Sequence, residues 1–289
     1  MNAKMQVHAM VVLLVVAMIG GGTGLCAQTP GQKTFASSKL AVDALVQAVS
    51  TDNSADLEAI LGEGSGAIIS SGDPVADKAT RDHFVAQYNE KHTLVASGSG
   101  TYTLDVGSTD FPLPIPLVRN GGKWYFDGAA GKEEILYRRI GNNELSAIDV
   151  CRGVVDAQRD YAAGSHDGRP AGTYAQHLMS NPGKQDGLYW ETKPGEPASP
   201  AGPLLADASS QGYTAGKGAP YHGYYYKLIE NPGGFALLAY PAEYRNSGVM
   251  TFVVTQSGVV FQKDLGKDTS AIARRINVYQ MDGTWTAVQ

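Results

Sequence analysis

The sequence predicts an α+β fold: N-terminal helices packed on an antiparallel sheet, then a small antiparallel sheet with a terminal helix. Three observations carry this. Between residues 37 and 90, apolar side chains recur at three- and four-residue spacing behind residues that cap helices. Between 101 and 127 the period drops to two, with an Asn-Gly turn inside. From 220 onward "YHGYYYKLIE", "GGFALLAYP", "GVMTFVVT" and "GVVFQKDL" read as about four strands joined by short turns. Helices gathered beside antiparallel strands, rather than alternating with them, define the α+β class.

The elements follow in order. In "FASSKLAVDALVQAVSTDNSADLEAILG", Ser37 or Ser38 caps a first helix with Leu40, Ala44, Leu45 and Ala48 as its stripe, and residues 56–61 form a second, ending near Gly62. Asp73 before Pro74 caps a third, with Phe84, Val85 and Tyr88 as its apolar face. In "GTYTLDVG", Tyr102, Leu104 and Val106 share one face and Thr101, Thr103 and Asp105 the other. "IPLVRNGGKWYFD" is a hairpin around Asn120-Gly121, and prolines 112, 114 and 116 set its approach on a sheet edge. "AGKEEILYRRIGNNELSAIDVCRGVVDAQRDYAAG" returns to helix in two pieces. Gly141 ends the first; Asn142 or Asn143 caps the second, which runs to about Ala163 and buries Ile148, Cys151, Val155 and Tyr161. Residues 164–219, rich in Gly, Pro, Ser and Ala, read as a linker with short helical pieces, one at 174–179. "DTSAIARRI" forms the last helix. The expected organisation is a leader at 1–27, an α+β domain at 35–163, the linker region at 164–219 and a sheet domain at 220–289.

The leader has physical grounds. Lys4, the apolar run "MVVLLVVAMI" and the small residues of "GGGTGLCAQ" form a secretory signal peptide, with cleavage after Ala27. The run falls short of the roughly 20 apolar residues of a membrane-spanning helix. Lipidation at Cys26 is the rival reading, and Leu25 before it is larger than a lipoprotein signal prefers. The expected location is therefore exported, periplasmic or extracellular, with no membrane span in the mature chain. Without 1–27 the chain carries 28 acidic residues against 22 Lys and Arg, with no basic cluster, which excludes a nucleic-acid partner. Cys151 is then a lone thiol in a helical context, read as buried and structural.

Several phrases together resemble an uncharacterised family of exported bacterial proteins, domain-of-unknown-function family twenty-nine fifty. They are "ISSGDPVAD", "FPLPIPLVRNGGKWYFD", "AAGKEEILYRRIGNNELSAI", "NPGKQDGLYW", "PYHGYYYKLI" and "GGFALLAYPAEY" with "SGVMTFVVTQSGVVFQKDLG". The resemblance spans nearly the whole mature chain and implies no activity. Two departures stand out. Asn231-Pro232 makes a short turn where relatives often carry an insertion, and "GSHDGRPAG" replaces an Asp-rich turn, leaving Asp167 as its only carboxylate. A calcium loop commonly needs six or more oxygen ligands. The first unit also resembles nuclear-transport-factor-2-like folds, which implies a curved sheet, and the second resembles pilin-like sheet heads without their long N-terminal helix.

Candidate sites divide into weak motifs and one aromatic cluster. His83, His92, His166, His177 and His222 show no zinc-type pairing, so metal and cofactor are expected to be none. "GEGSGA" and "SGSGTY" miss the spacing of a nucleophile elbow, and "GKGAPYHG" leads into a strand rather than a helix, unlike a phosphate loop. No catalytic residue is assigned. Asp73 and Asp77, four apart, read either as an acid–base pair or, more simply, as cap and first-turn acid. Aromatics with polar tips gather near the second sheet, and Tyr189, Trp190, His222 and Tyr225 are the binding candidates, with packing between units as the alternative. In a strand, Tyr224 and Tyr226 share one face while Tyr225 takes the other.

The expected function is a non-enzymatic binding or scaffolding module that takes an unidentified envelope ligand or protein in the groove between its units. One alternative is a metal-free hydrolase with Tyr88, His92 and Asp127 lining a cone. Another is a pilus-associated accessory protein.

Overall fold

The computed structural model describes residues 28–193, 195–214 and 218–288. The expected leader, its cleavage point and Cys26 lie outside them.

Local chemistry starts the N-terminal helices. The Ser37 Oγ accepts from the Leu40 N–H and opens α1 (Ser38–Ser50). Asn53 caps α2 (Ser54–Leu61), which ends at Gly62. A short α3 (Gly66–Ile69) follows, then α4 (Pro74–Glu90), capped by Asp73. The stripe of α1 is rotated from its expected setting: Ala41, Val42, Leu45 and Ala48 are buried, whereas Leu40 is exposed. The choice between two apolar stripes is made by the sheet the helix meets.

That sheet holds β1 (His92–Gly98), β2 (Thr101–Val106), β3 (Phe111–Pro112), β4 (Leu117–Asn120) and β5 (Lys123–Phe126). Its order is β1-β2-β4-β5 with β3 beside β2. The strand β1, not anticipated from sequence, is mostly exposed, so neither alternation nor an apolar run marks it. Asn120 pairs with Lys123, so the two loop residues are Gly121 and Gly122, both at positive φ. The turn thus sits one residue beyond Asn120-Gly121, on glycines that take this geometry without Cβ strain. Leu104, Val106, Leu117 and Phe126 bury against α1 and α2.

The largest difference from expectation is α5 (Gly128–Ala162), a single helix of 35 residues that runs straight through Gly141. Asn143, one of the two expected caps, and its neighbours Arg139 and Glu144 bond across space instead. Arg139 donates to the carbonyls of Ala67 and Ile68 and to Asn246 Oδ1 at 2.6–2.9 Å. Asn143 donates to the Ser247 carbonyl, and Glu144 Oε1 accepts from the Val249 and Met250 N–H groups. Six bonds to other elements outweigh the roughly 1 kcal/mol propensity cost of one helical glycine. The expected buried face of Ile148, Cys151, Val155 and Tyr161 is observed.

Residues 164–219 contain β6 (His177–Met179) and β7 (Gly187–Tyr189), a parallel pair, and α6 (Gly202–Ser210). The helix expected at 174–179 is thus a loop running into a strand. The reason is a side chain: the buried Gln158 amide pairs with the backbone of Ala175 in both directions, at 3.1 and 2.9 Å, and holds that segment extended. At Gly153 a Cβ would meet Leu204 at 2.9 Å, so α6 lies directly on α5.

The remaining strands are β8 (Tyr224–Ile229), β9 (Ala236–Pro241), β10 (Met250–Thr255), β11 (Val260–Asp264) and β12 (Thr286–Ala287), in order β12-β11-β10-β9-β8, with α7 (Thr269–Arg275) after β11. Both faces of the central strands are covered. Leu237, Ala239, Phe252 and Val254 join the α5 side chains; Ala236, Leu238, Tyr240 and Val253 join Ala273 of α7. Among the described residues, no helix is long and apolar enough to cross a membrane.

Candidate functional site

Two polar regions surround this second core, and they differ in how their groups are used. The first is a seam where the N-terminal helices meet the second sheet. Asp73 is 1% exposed. Its Oδ1 caps α4 by accepting from the Ala76 N–H, and its Oδ2 accepts from the Gly223 N–H at 2.9 Å and the Tyr213 hydroxyl at 3.0 Å. Asp77 accepts from the Ser71 N–H through both oxygens and from the Ser70 hydroxyl. Cap and first-turn acid is therefore the structural role of the pair, and its lone pairs are spent on the fold.

His222 lies at this seam at φ 49°, with Tyr221 and Tyr213 at ring distances of 4.2 and 5.8 Å. Burial lowers its basicity, and Asp73 and Asp207 partly restore it. Burial and then the Asp207 carboxylate push the Tyr221 phenol up to about 12.

The second region is a cleft of about 560 Å³, within the range usual for small-ligand sites. Its floor is built from the C-terminal end of α5. Tyr161, fully buried, donates its hydroxyl to the Gln185 carbonyl at 2.7 Å, and burial raises its phenol. The His166 ring stacks on Tyr161 at 4.2 Å, and Trp190 stands 5.5 Å from His166 and 6.5 Å, edge-on, from Tyr161. Both His166 nitrogens are engaged: Nε2 with the Tyr161 carbonyl at 2.9 Å, Nδ1 with the Gln185 side chain at 3.2 Å. Asp167, the carboxylate of the turn "GSHDGRPAG", accepts from the Gln185 N–H and so fixes the same segment. The cleft's rim brings in Asp160, Gln185, Thr192 and Glu196; Pro197, Pro200 and Pro203 stiffen its wall. Ser199, also lining it, is 2% exposed and its hydroxyl has no hydrogen-bond partner among the described residues.

Of the four binding candidates named from sequence, the structure brings Trp190 to this cleft. Tyr189, next to it, packs into the core under α5. His222 sits at the seam. Tyr225 packs tilted against Tyr240 at 5.6 Å on the far face of β8, opposite Tyr224 and Tyr226. Asp160, His166, Gln185, Glu196 and Ser199 were not singled out as a group: they come from separate segments at no motif spacing. The signal that could have joined them is Tyr161 of α5's last turn, followed by His166, together with "LYW". Among the hydrolase candidates, Tyr88 and His92 stack at 3.9 Å, whereas Asp127 caps α5. Burial pushes the Cys151 thiol up to about 12, so it stays protonated and unreactive at neutral pH.

A family model described as a protein of unknown function (DUF2950) matches residues 32–234 and 230–288. No curated protein and no solved structure matches the chain.

Proposed function

From the premise that the chain belongs to the DUF2950 family, whose description carries no activity, we propose that it is an exported, non-enzymatic binding module of the bacterial envelope. Its ligand seats in the cleft at Trp190. The observation that carries this reading is the state of His166. Both of its ring nitrogens are held by the fold, so the histidine in the cleft serves as part of an aromatic platform and not as a free base. An indole braced by two rings and surrounded by fixed polar groups is built to hold a ligand, since little side-chain freedom is lost on binding. The leader at 1–27 supports export.

The test compares envelope association of the full chain with that of Trp190→Ala. Association lost in the variant, with Tm and far-UV spectrum unchanged, supports the reading; association retained overturns it. The rival reading, a metal-free hydrolase, is reached with esterase, amidase and glycosidase substrates. Turnover that disappears in His166→Ala or His92→Ala would replace the binding reading with an enzymatic one.

A further inference from the structure

We infer that the cleft selects a neutral or amino-bearing saccharide, recognised by an acceptor-rich rim around the Trp190 indole; this rests on the binding reading above.

Charge narrows the ligand first. Among the described residues that line the cleft, Asp160 and Glu196 are the carboxylates, and no Lys or Arg is in the lining. One Glu196 oxygen is taken by the Lys193 N–H at 3.0 Å, which orients the carboxylate and leaves its other oxygen for a ligand. An anionic ligand would meet like charge here, and a phosphate or sulfate would lack the cationic donors it needs.

Shape and hydrogen bonding narrow it further. A pyranose offers an apolar C–H face that suits an indole and hydroxyl donors around its edge that suit carboxylate, amide and hydroxyl acceptors. A peptide brings as many carbonyl acceptors as N–H donors, and the two rim carboxylates, which only accept, serve the hydroxyl edge of a sugar better than those carbonyls. The Ser199 hydroxyl adds an independent pointer. Ser199 belongs to the cleft lining, and its hydroxyl, like those of Ser65 and Thr251, is buried without a partner among the described residues, which is costly in a folded protein. A ligand hydroxyl is the group that satisfies it as both donor and acceptor. The three prolines of the wall hold it ready, as a weakly binding, flexible ligand class requires.

The experiment titrates the full chain with chitotetraose, cellotetraose, tetragalacturonate and a proline-rich tetrapeptide, following the Trp190 indole N–H by NMR in the wild type and taking the Kd of the wild type and of every variant from isothermal titration calorimetry. The expected result is a shift with one or both neutral saccharides at a Kd of about 1 mM or tighter. Trp190→Ala weakens that binding at least ~10-fold, and Ser199→Ala and Glu196→Gln each weaken it roughly 3-fold. Trp190→Phe, which keeps the core filled, gives an intermediate loss and guards against misfolding of the alanine variant. If the peptide or the uronate moves the Trp190 signal and neither neutral saccharide does, the inference falls while the binding reading stands. If none of the four moves it, the inference falls, and the envelope-association assay decides the binding reading on its own.

Discussion

The seam at Asp73 and the cleft at Trp190 are built from the same kinds of group, carboxylates, tyrosines and a histidine, yet they do opposite things. At the seam the polar atoms named above answer one another: Asp73 alone takes three donors from three segments of chain. At the cleft the aromatic rings are braced, but the Ser199 hydroxyl has no protein partner among the described residues and the carboxylates of Asp160 and Glu196 face a cavity. Polar groups that satisfy each other specify a fold; polar groups left over beside a rigid platform specify a ligand. The contrast separates structure from function without a motif.

The contrast can be broken experimentally. The largest effect is expected for Asp73→Ala, which removes a cap and leaves the Gly223 N–H and Tyr213 hydroxyl buried without an acceptor. A loss of about 3 kcal/mol follows, read from urea unfolding; a loss under about 1 kcal/mol would mean that the seam is not a stabilising network. Gln158→Ala should cost about 2 kcal/mol and raise amide exchange in 164–190 before it does so in β9 and β10. Uniform acceleration would show that the Gln158–Ala175 pair does not pin that segment.

Alkali sharpens the comparison next. The folded state holds the Tyr221 proton to about 12, whereas the unfolded chain releases it near the ordinary value of 10. Between those values the unfolded state binds fewer protons, so stability falls as pH rises. Burial raises Tyr213, Tyr224 and Tyr226 as well, so Tm should decline through this window and Tyr221→Phe should lessen the decline by its share; an unchanged slope would remove Tyr221 as a contributor. The smallest effect belongs to Ser199→Ala. With no protein hydrogen bond to lose, its stability should stay within about 0.5 kcal/mol of wild type by thermal melt. A larger loss would reveal a structural partner for that hydroxyl and erase the contrast.

What could be read in advance follows the range of the forces involved. The caps at Ser37 and Asp73, the glycine hairpin and the four strands from β8 to β11 depend on near neighbours, and they were visible. The continuity of α5 was not, because Gly141 and Asn143 are local stop signals overruled by Ser247 and by contacts of Arg139 and Glu144 more than 70 residues away. Strand β6 was hidden for a related reason, since a glutamine on α5 supplies the bonds that keep its approach extended. The cleft was half legible. Trp190 was named, but grouped with Tyr225, which alternation sends to the other face of its strand. His166 stood out only once Tyr161 was placed beneath it.

The unbroken α5 has a consequence for how this chain tolerates length change. At 1.5 Å per residue it spans about 50 Å, and one inserted or deleted residue turns everything beyond it by about 100°. Between Arg139, which grips α3, and Ile148, which enters the second core, such a change would swing the Glu144 carboxylate away from the amides of Val249 and Met250. Insertions of about seven, eleven or eighteen residues restore the phase but lengthen the rod by about 10 Å or more, so natural and engineered variants of it are expected to vary in composition but not in count.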